Sequence, residues 1–404
     1  MKKEIRFILA LITLLTVMLA CANPVSGTAP ANVETIVAST LSALTAPAPG
    51  AGPSPQPPTS DLLPHSMYFL NNDGKGILQV YRLAKDGKTV TQITFEPAKV
   101  ESYDVSLVDG SVAYVSNNQI LTVRPDGSNR SMVVDGGPTD PNNLYVNHLG
   151  APLWSLDAQT ITYGFHGINV YSIASGQPTL VYQDQLTTEN GVTLGQVNIP
   201  ASYSPDGSKL LVNIVPLASD GGLMGIFSPA NKSLMPLSSS NHRICCALQW
   251  SADNNTLYGS NASFNPFSTP GLWRVDATSG AVTDLIASTD TVLNFASSPY
   301  LAPNGQLYFF YATQPYAQQD EINRVPLQLV RSAADGVTGR TVVIPNAFNT
   351  LNEALWAPDA SFVITASGPI ADVYEGGILE LYYADGQKPM ISLLPFGFDL
   401  KWGP

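Results

Sequence analysis

Among the residues able to do chemistry, the chain carries four histidines, of which His148, His166 and His242 fall in separate connecting segments of the middle region. Such a trio is metal-ligand chemistry in kind. The three share no ligand spacing, however, so no metal site and no cofactor is expected. Asp109, Asp157, Asp206, Asp253 and Asp359 recur at regular intervals and look like a ring of carboxylates. Each stands in a tight-turn position where Asp serves its own backbone, so they read as structural. Glu353 lies outside that pattern and, with His148 and His242, is the candidate for acid–base work on a carbohydrate. Nucleophile elbow, P-loop, HExxH and CxxC patterns are absent from the sequence, so no catalytic residue is assigned. Three cysteines are present, Cys21 near the start and the adjacent pair Cys245 and Cys246. Neighbouring Cα atoms lie about 3.8 Å apart, below the usual disulfide range, so the pair reads as two buried thiols rather than a vicinal bridge.

The elements that must position these groups follow a repeat. Six segments share one phrase: SLVDGSVAYV from Ser106, WSLDAQTITY from Trp154, YSPDGSKLLV from Tyr203, WSADNNTLYG from Trp250, YLAPNGQLYF from Tyr300 and WAPDASFVIT from Trp356. Their turn residues are spaced 47 to 55 residues apart, and the terminal LKWGP writes the opening of a seventh. This is the period of a propeller blade. Within each period an apolar stretch ends in Trp or Tyr, turns on Asp, Asn or Gly, and continues as an alternating run, which is a hairpin signature. A second hairpin follows, turning at Asp86-Gly87, Asp126-Gly127, Ser175-Gly176, Ala230-Asn231, Ser279-Gly280, Asp335-Gly336 and Asp385-Gly386. Two hairpins make four antiparallel strands, A to D. Sheets of that size bury both faces only by stacking around an axis.

The first repeat has no strand A of its own, and the matching stretch, residues 398–402, is at the other terminus. The fold class is therefore all-β: a seven-bladed β-propeller of four-stranded antiparallel blades, closed by the C-terminal strand joining the first blade. Trp154, Trp250, Trp356 and Trp402 share one position in the repeat and read as packing between blades rather than as sugar platforms.

The phrase SPDG at Ser204 to Gly207, and its variants with Leu156 or Ala252 in place of Pro and Ala302 in place of Ser, resembles the TolB-like, WD40-like (PD40) propeller repeats of bacterial periplasmic and surface proteins. The resemblance spans residues 67–404. It implies a propeller and an extracytoplasmic setting, and it is silent on activity, because one such fold hosts scaffolds, binders and enzymes.

The N-terminus reads as an address. Lys2, Lys3 and Arg6 precede an apolar run from Phe7 to Leu19 that is too short for a comfortable membrane span. Met18, Leu19, Ala20 and Cys21 resemble the lipobox of bacterial lipoproteins, which implies cleavage before Cys21 and its lipidation. The expected organisation is a signal peptide over residues 1–20, a lipidated Cys and a Pro/Ala/Ser-rich tether over 21–65, and the propeller over 66–404. The chain's net charge of −12 argues against nucleic acid as a partner and leaves the lipid as the only link to a membrane.

Strand parity places the A–B and C–D turns at one end of the ring and the B–C and D–A connections at the other. The first set is short; the second includes long loops over residues 135–151, 184–201, 260–271, 311–323 and 367–377. Binding is expected on that second face, since variable connections on a rigid frame are where ligands are met. Its candidate ligand residues are His148, His166, Asn198, Arg243, Asn265, Tyr316, Asn352, Glu353 and Tyr374. Aromatics beside amides, with few charges, suit a protein, a peptide or a glycan. The expected function is a lipid-anchored binding or interaction module. A carbohydrate-active lyase or hydrolase at the channel mouth, or an envelope-assembly scaffold, are the alternatives.

Overall fold

A computed structural model describes residues 61–139, 145–189, 192–217, 222–237, 248–264, 269–318 and 324–404. The chain divides into two units, Met1–Thr59 and Ser60–Pro404, and the second holds every described strand. Cys21, Arg243 and Asn265 lie outside the described residues, as do His242, Cys245 and Cys246. Among the described residues no helix is long and apolar enough to cross a membrane.

Every described strand pairing is antiparallel, and the alternating runs become strands where they are expected. Blade 2 is representative, with Val100–Val105, Val112–Ser116, Gln119–Val123 and Ser131–Asp135 as its strands A to D. The C-terminal strand Ile391–Trp402 serves two blades. Its first half pairs with Gly377–Tyr383 as strand D of blade 7, and its second half pairs with Met67–Asn72 as strand A of blade 1, setting Trp402 opposite Met67 and Phe398 opposite Leu70. The two ends of the ring are thereby joined through one continuous strand, which leaves no open terminal blade.

Apolar seams between successive blades complete the circle. Blades 1 and 2 share Leu70, Val80, Tyr103 and Tyr114; blades 2 and 3 share Val115, Ile120 and Tyr163; blades 3 and 4 share Leu153, Ile168, Val212 and Phe227. Blades 4 and 5 meet at Met224, Leu237, Trp250 and Trp273, blades 5 and 6 at Leu272, Leu307 and Phe309, and blades 6 and 7 at Phe295, Phe310, Trp356 and Tyr382. Met67, Phe69, Ile364 and Leu379 close the last gap between blades 7 and 1. Each sheet thus hides both faces against its neighbours, as the repeat requires. The repeat tryptophans are inside these cores, with Trp154, Trp250 and Trp356 buried and Trp402 packed against the seam of blades 7 and 1.

One expected loop is a strand pair instead. Gln185–Glu189 pairs with the first part of Val192–Tyr203, which lengthens strand A of blade 4. Its alternation of exposed and partly buried residues is masked in the sequence by Gly195 and by the Thr-rich tip. Gly195 itself is needed there: φ is +121°, and a Cβ would come within 2.0 Å of the Gln185 carbonyl oxygen. Strand B of blade 6 likewise runs on to Pro315, so part of the expected 311–323 loop is sheet.

Candidate functional site

Turn aspartates do what their position suggests. The carboxylates of Asp109, Asp157, Asp206, Asp253 and Asp359 each accept from the backbone N–H two residues on, at 2.8 to 3.1 Å, and Asn304 does the same in blade 6. Such turns are closed on themselves. In Asp206 the Ser204 hydroxyl, then the Ser208 N–H and hydroxyl, lower the carboxyl to about 2.

The long-connection face gathers the sequence candidates into separate groups. His148 Nε2 lies 2.8 Å from Oε2 of Glu101, near the start of strand A of blade 2, with a third of its side chain exposed. His166 has φ +53°, sits edge-on against Phe165 at 4.5 Å, and is not brought to His148 by any described contact. Tyr316 packs edge-on against Phe264 at 5.8 Å and is 37% exposed. Asn352 is drawn into a clamp: its Oδ1 accepts from Arg324 Nη1 at 2.8 Å and its Nδ2 donates to the Gly376 carbonyl at 2.6 Å. Arg324 also donates to the carbonyls of Val373 and Leu351, and Tyr374, 62% exposed, lies with its ring 4.9 Å from the guanidinium. Both ends of the Asn352 amide are thus spent on loop geometry, while Tyr374 presents its outer ring face.

Asn198 is the most deeply set of the candidates on this face. Its backbone N–H and its Nδ2 both donate to Asp184 Oδ1, at 3.0 and 2.6 Å, and both residues are buried. Burial raises the Asp184 carboxyl despite those two donors.

Glu353 belongs to a different place, the inner wall. Strands A of successive blades touch one another around the axis, and three carboxylates and one ammonium come together where blades 7, 1 and 2 meet. Glu353 Oε1 accepts from Leu400 N–H at 2.6 Å, and Asp104 Oδ2 accepts from Trp154 N–H at 2.7 Å. Lys401 Nζ is 3.9 Å from Asp104, 3.7 Å from Asp399 and 4.7 Å from the centre of the Tyr103 ring. Tyr103 in turn donates its hydroxyl to the Asp399 carbonyl. Four of the inner strands carry irregular register at this level, between Val100 and Ser102, Pro200 and Ser202, Ser297 and Tyr300, and Leu351 and Glu353, and the same holds where Tyr68 and Leu70 meet the closing strand. Bulges re-aim side chains.

Burial raises the Glu353 carboxyl to about 7, against the lowering effect of the Leu400 N–H and with the Asp399 charge adding to the rise. Asp104 is raised for the same first reason, opposed by Lys401. Water still reaches the group, since the side chains of Asp104 and Asp399 are 21% and 36% exposed. A carboxyl titrating near neutrality is the property general acid–base chemistry uses. Here its hydrogen bond is made to the closing strand, so it also binds the ring shut. Asp104, Asp399, Lys401 and Arg324 are additions that the structure makes to the sequence candidates. A usable signal exists for one of them: Asp399 stands three residues before Trp402 as Glu353 stands three before Trp356.

No family model matches the chain, and no curated protein matches it. Among solved structures it is similar to a mutant puromycin hydrolase, with a TM-score of 0.52 at 11% identity over 83% of this chain and 53% of that one. TolB from Acinetobacter baumannii matches at TM-score 0.39 and 13% identity, over 83% and 81% of the two chains. A manganese complex of oligogalacturonate lyase matches at 0.49 and 7%, over 81% and 84%. Identities this low speak for fold alone. The chain is a β-propeller protein. TolB proteins stand among its structural neighbours.

Proposed function

We propose that this protein is a lipid-anchored, extracytoplasmic binding module that meets a protein, peptide or glycan through its long-connection face. The observation that supports this best is the difference between the two faces. On the short-turn side the polar groups are consumed by their own turns. A cavity of about 670 Å³ is there too, but it is a crevice lined by Asp61 and Leu62 of the entering chain beside turn residues such as Asp359 and Asp385. Those two carboxylates are bonded to their own backbones. On the long-connection side two grooves of about 430 and 310 Å³ open between or beside blades, and Tyr316 and Tyr374 stand exposed beside the smaller one, next to its lining residues Pro315 and Arg324. Exposed aromatics on a rigid frame are what interfaces use.

The anchor rests on the lipobox-like residues ending at Cys21. Mass spectrometry of the membrane-extracted protein should find Cys21 acylated and at the new N-terminus; an unmodified Cys21 would remove the anchor. For the face, affinity capture with the full-length chain should be abolished by Tyr316→Arg with Tyr374→Arg and preserved by Val337→Arg with Gln387→Arg on the short turns. The opposite pattern would refute the assignment. Glu353 supports the enzymatic alternative in one respect, its near-neutral carboxyl. Turnover of a glycan panel that Glu353→Gln abolishes would establish that reading instead.

A further inference from the structure

Of the two grooves on the long-connection face, the one between blades 3 and 4 has a lining of one chemical kind. Its described walls are Tyr182, Gln185, Gln196, Asn198 and the apolar Ile214, Pro216, Leu234 and Pro236, with no charged side chain among them. In a chain with 12% charged residues overall this is still a selective surface, because the short-turn crevice is lined by Asp61, Arg331, Asp359, Asp385 and Lys388. An anionic ligand placed here would lose water and gain no counter-charge from the described walls, and a cation would find only Asp184, which is buried behind Asn198 and already accepts two hydrogen bonds from it. Neutral ligands are favoured.

The polar groups are also arranged for a particular kind of neutral ligand. Gln185 and Gln196 are direct register partners across the hairpin, so their side chains stand on the same side of it, both exposed. Each amide offers donors and an acceptor together. Deeper in, Asn198 is 5% exposed, and its amide orientation is dictated by Asp184, which accepts from Nδ2. Reversing that amide would set its oxygen against a carboxylate oxygen. The remaining atom, Asn198 Oδ1, is buried and takes no hydrogen bond from the described residues. A buried acceptor without a donor is costly, and a hydroxyl that reached it would recover that cost. Along the wall, Tyr182 is fixed edge-on against Phe227 at 5.6 Å, so one of its ring faces has a set direction without spending entropy on binding.

We infer that the groove between blades 3 and 4 is a binding site for a neutral, hydroxyl-rich glycan. A sugar ring has apolar faces for Tyr182, Leu234 and the prolines, and hydroxyls that donate and accept at once for Gln185, Gln196 and Asn198. The inference rests on the long-connection face being the binding surface, and goes further by naming what one part of it takes.

The test uses full-length protein in detergent on an array of neutral oligosaccharides, acidic uronate oligomers and unstructured peptides, with titration calorimetry on any hit. A neutral oligosaccharide should bind, and Gln196→Ala and Tyr182→Ala should each weaken it at least about tenfold, while the melting temperature of Gln196→Ala stays at the wild-type value. Gln196 is exposed, so that variant separates binding from folding. Binding of uronates or peptides alone, binding of no neutral glycan, or binding indifferent to both variants would each overturn the inference. If the array is negative while capture still depends on Tyr316 and Tyr374, the glycan site falls and the face survives. If both are negative, both fall.

Discussion

The turn aspartates at the rim and the carboxylates on the inner wall are the same chemical group in opposite circumstances. At the rim, Asp206 is surrounded by hydroxyl and backbone donors in full contact with water, and its carboxyl is lowered to about 2. At the wall, Glu353 has one backbone donor and a neighbouring like charge, and burial dominates, raising it to about 7. The rim group therefore stabilises the fold when ionised, and the wall group stabilises it when protonated. Repetition explains the first, since one turn solution serves every blade. Closure explains the second, because only where blades 7, 1 and 2 meet must a strand from the far terminus be received.

The largest effect expected from breaking this contrast is at the closure itself. Deleting residues 400–404 removes the buried Leu400, the Trp402 indole with its 2.7 Å bond to the Trp356 carbonyl, the Leu400 N–H on Glu353 and the Gly403 bond to Ser66. Truncation of one large buried side chain costs about 2–5 kcal/mol, and here the half-buried indole goes with it, against a total stability of about 5–15 kcal/mol for a folded domain. The truncated chain should lose its cooperative melting transition. Unchanged melting by calorimetry would show that the ring does not depend on this strand.

Next in size is the pH dependence carried by Glu353. Its folded value near 7 lies above the ordinary 4.5, so between those values the fold holds a proton that the unfolded chain has released. Stability is full below the lower value and is lost as pH rises through the upper one. The loss is bounded at about 3–4 kcal/mol, from roughly 1.4 kcal/mol for each pH unit that separates the two values. Glu353→Gln keeps an oxygen for the Leu400 N–H and has no proton to lose. Its melting temperature at pH 8 should exceed that of the parent, and the two should converge at pH 5. Asp104, raised in the same sense, should leave a smaller residual slope in the variant. Parallel profiles for parent and variant would mean that Glu353 titrates as an ordinary surface acid.

The rim makes the converse, smaller prediction. Asp206 is held low, so its share of stability is present above the usual carboxylate range and is lost as pH falls toward 2. Asp206→Asn retains the acceptor and removes the titration, as Asn304 does naturally in blade 6, where its Oδ1 accepts from Gln306 N–H at 3.0 Å. Melting of the variant should fall less steeply between pH 4 and 2 and match the parent in its change from pH 5 to 8. A variant that alters the neutral limb would couple the rim to the wall.

How far this contrast is legible in the chain depends on the kind of signal. Asp206 and its equivalents can be assigned to turns because a turn is local, set by four residues and repeated. The closing strand is legible because Trp402 repeats the position of Trp356 and the repeat phrase of strand A is not written before Met67. The sequence places Glu353 among the connections of the long-connection face, yet it stands in the strand Leu351–Trp356 on the inner wall, because register at a bulge is fixed by the partner strand and is not legible along its own. Asp104 and Lys401 escape the sequence for the same reason: they meet across almost the whole length of the propeller, and nothing local to either announces the other. The hairpin at 185–203 has the composition of a loop because of Gly195 and the Thr-rich tip, although Gly195 is there to let two strands approach.

The smallest effect is that of Tyr374 in the clamp on the long-connection face, and it separates packing from recognition. Asn352 holds Arg324 and the Gly376 carbonyl, whereas Tyr374 only lies across the guanidinium with most of its surface in water. An exposed cation–π contact is worth about 0.5–1 kcal/mol, and two hydrogen bonds, one to a charged group, about 2–4 kcal/mol together. Asn352→Ala should therefore lower the melting temperature several times more than Tyr374→Ala. If the face binds as proposed, Tyr374→Ala should nevertheless weaken partner capture while barely moving the melt. Equal losses of stability in the two variants would make Tyr374 part of the clamp and leave the exposed ring without a binding role.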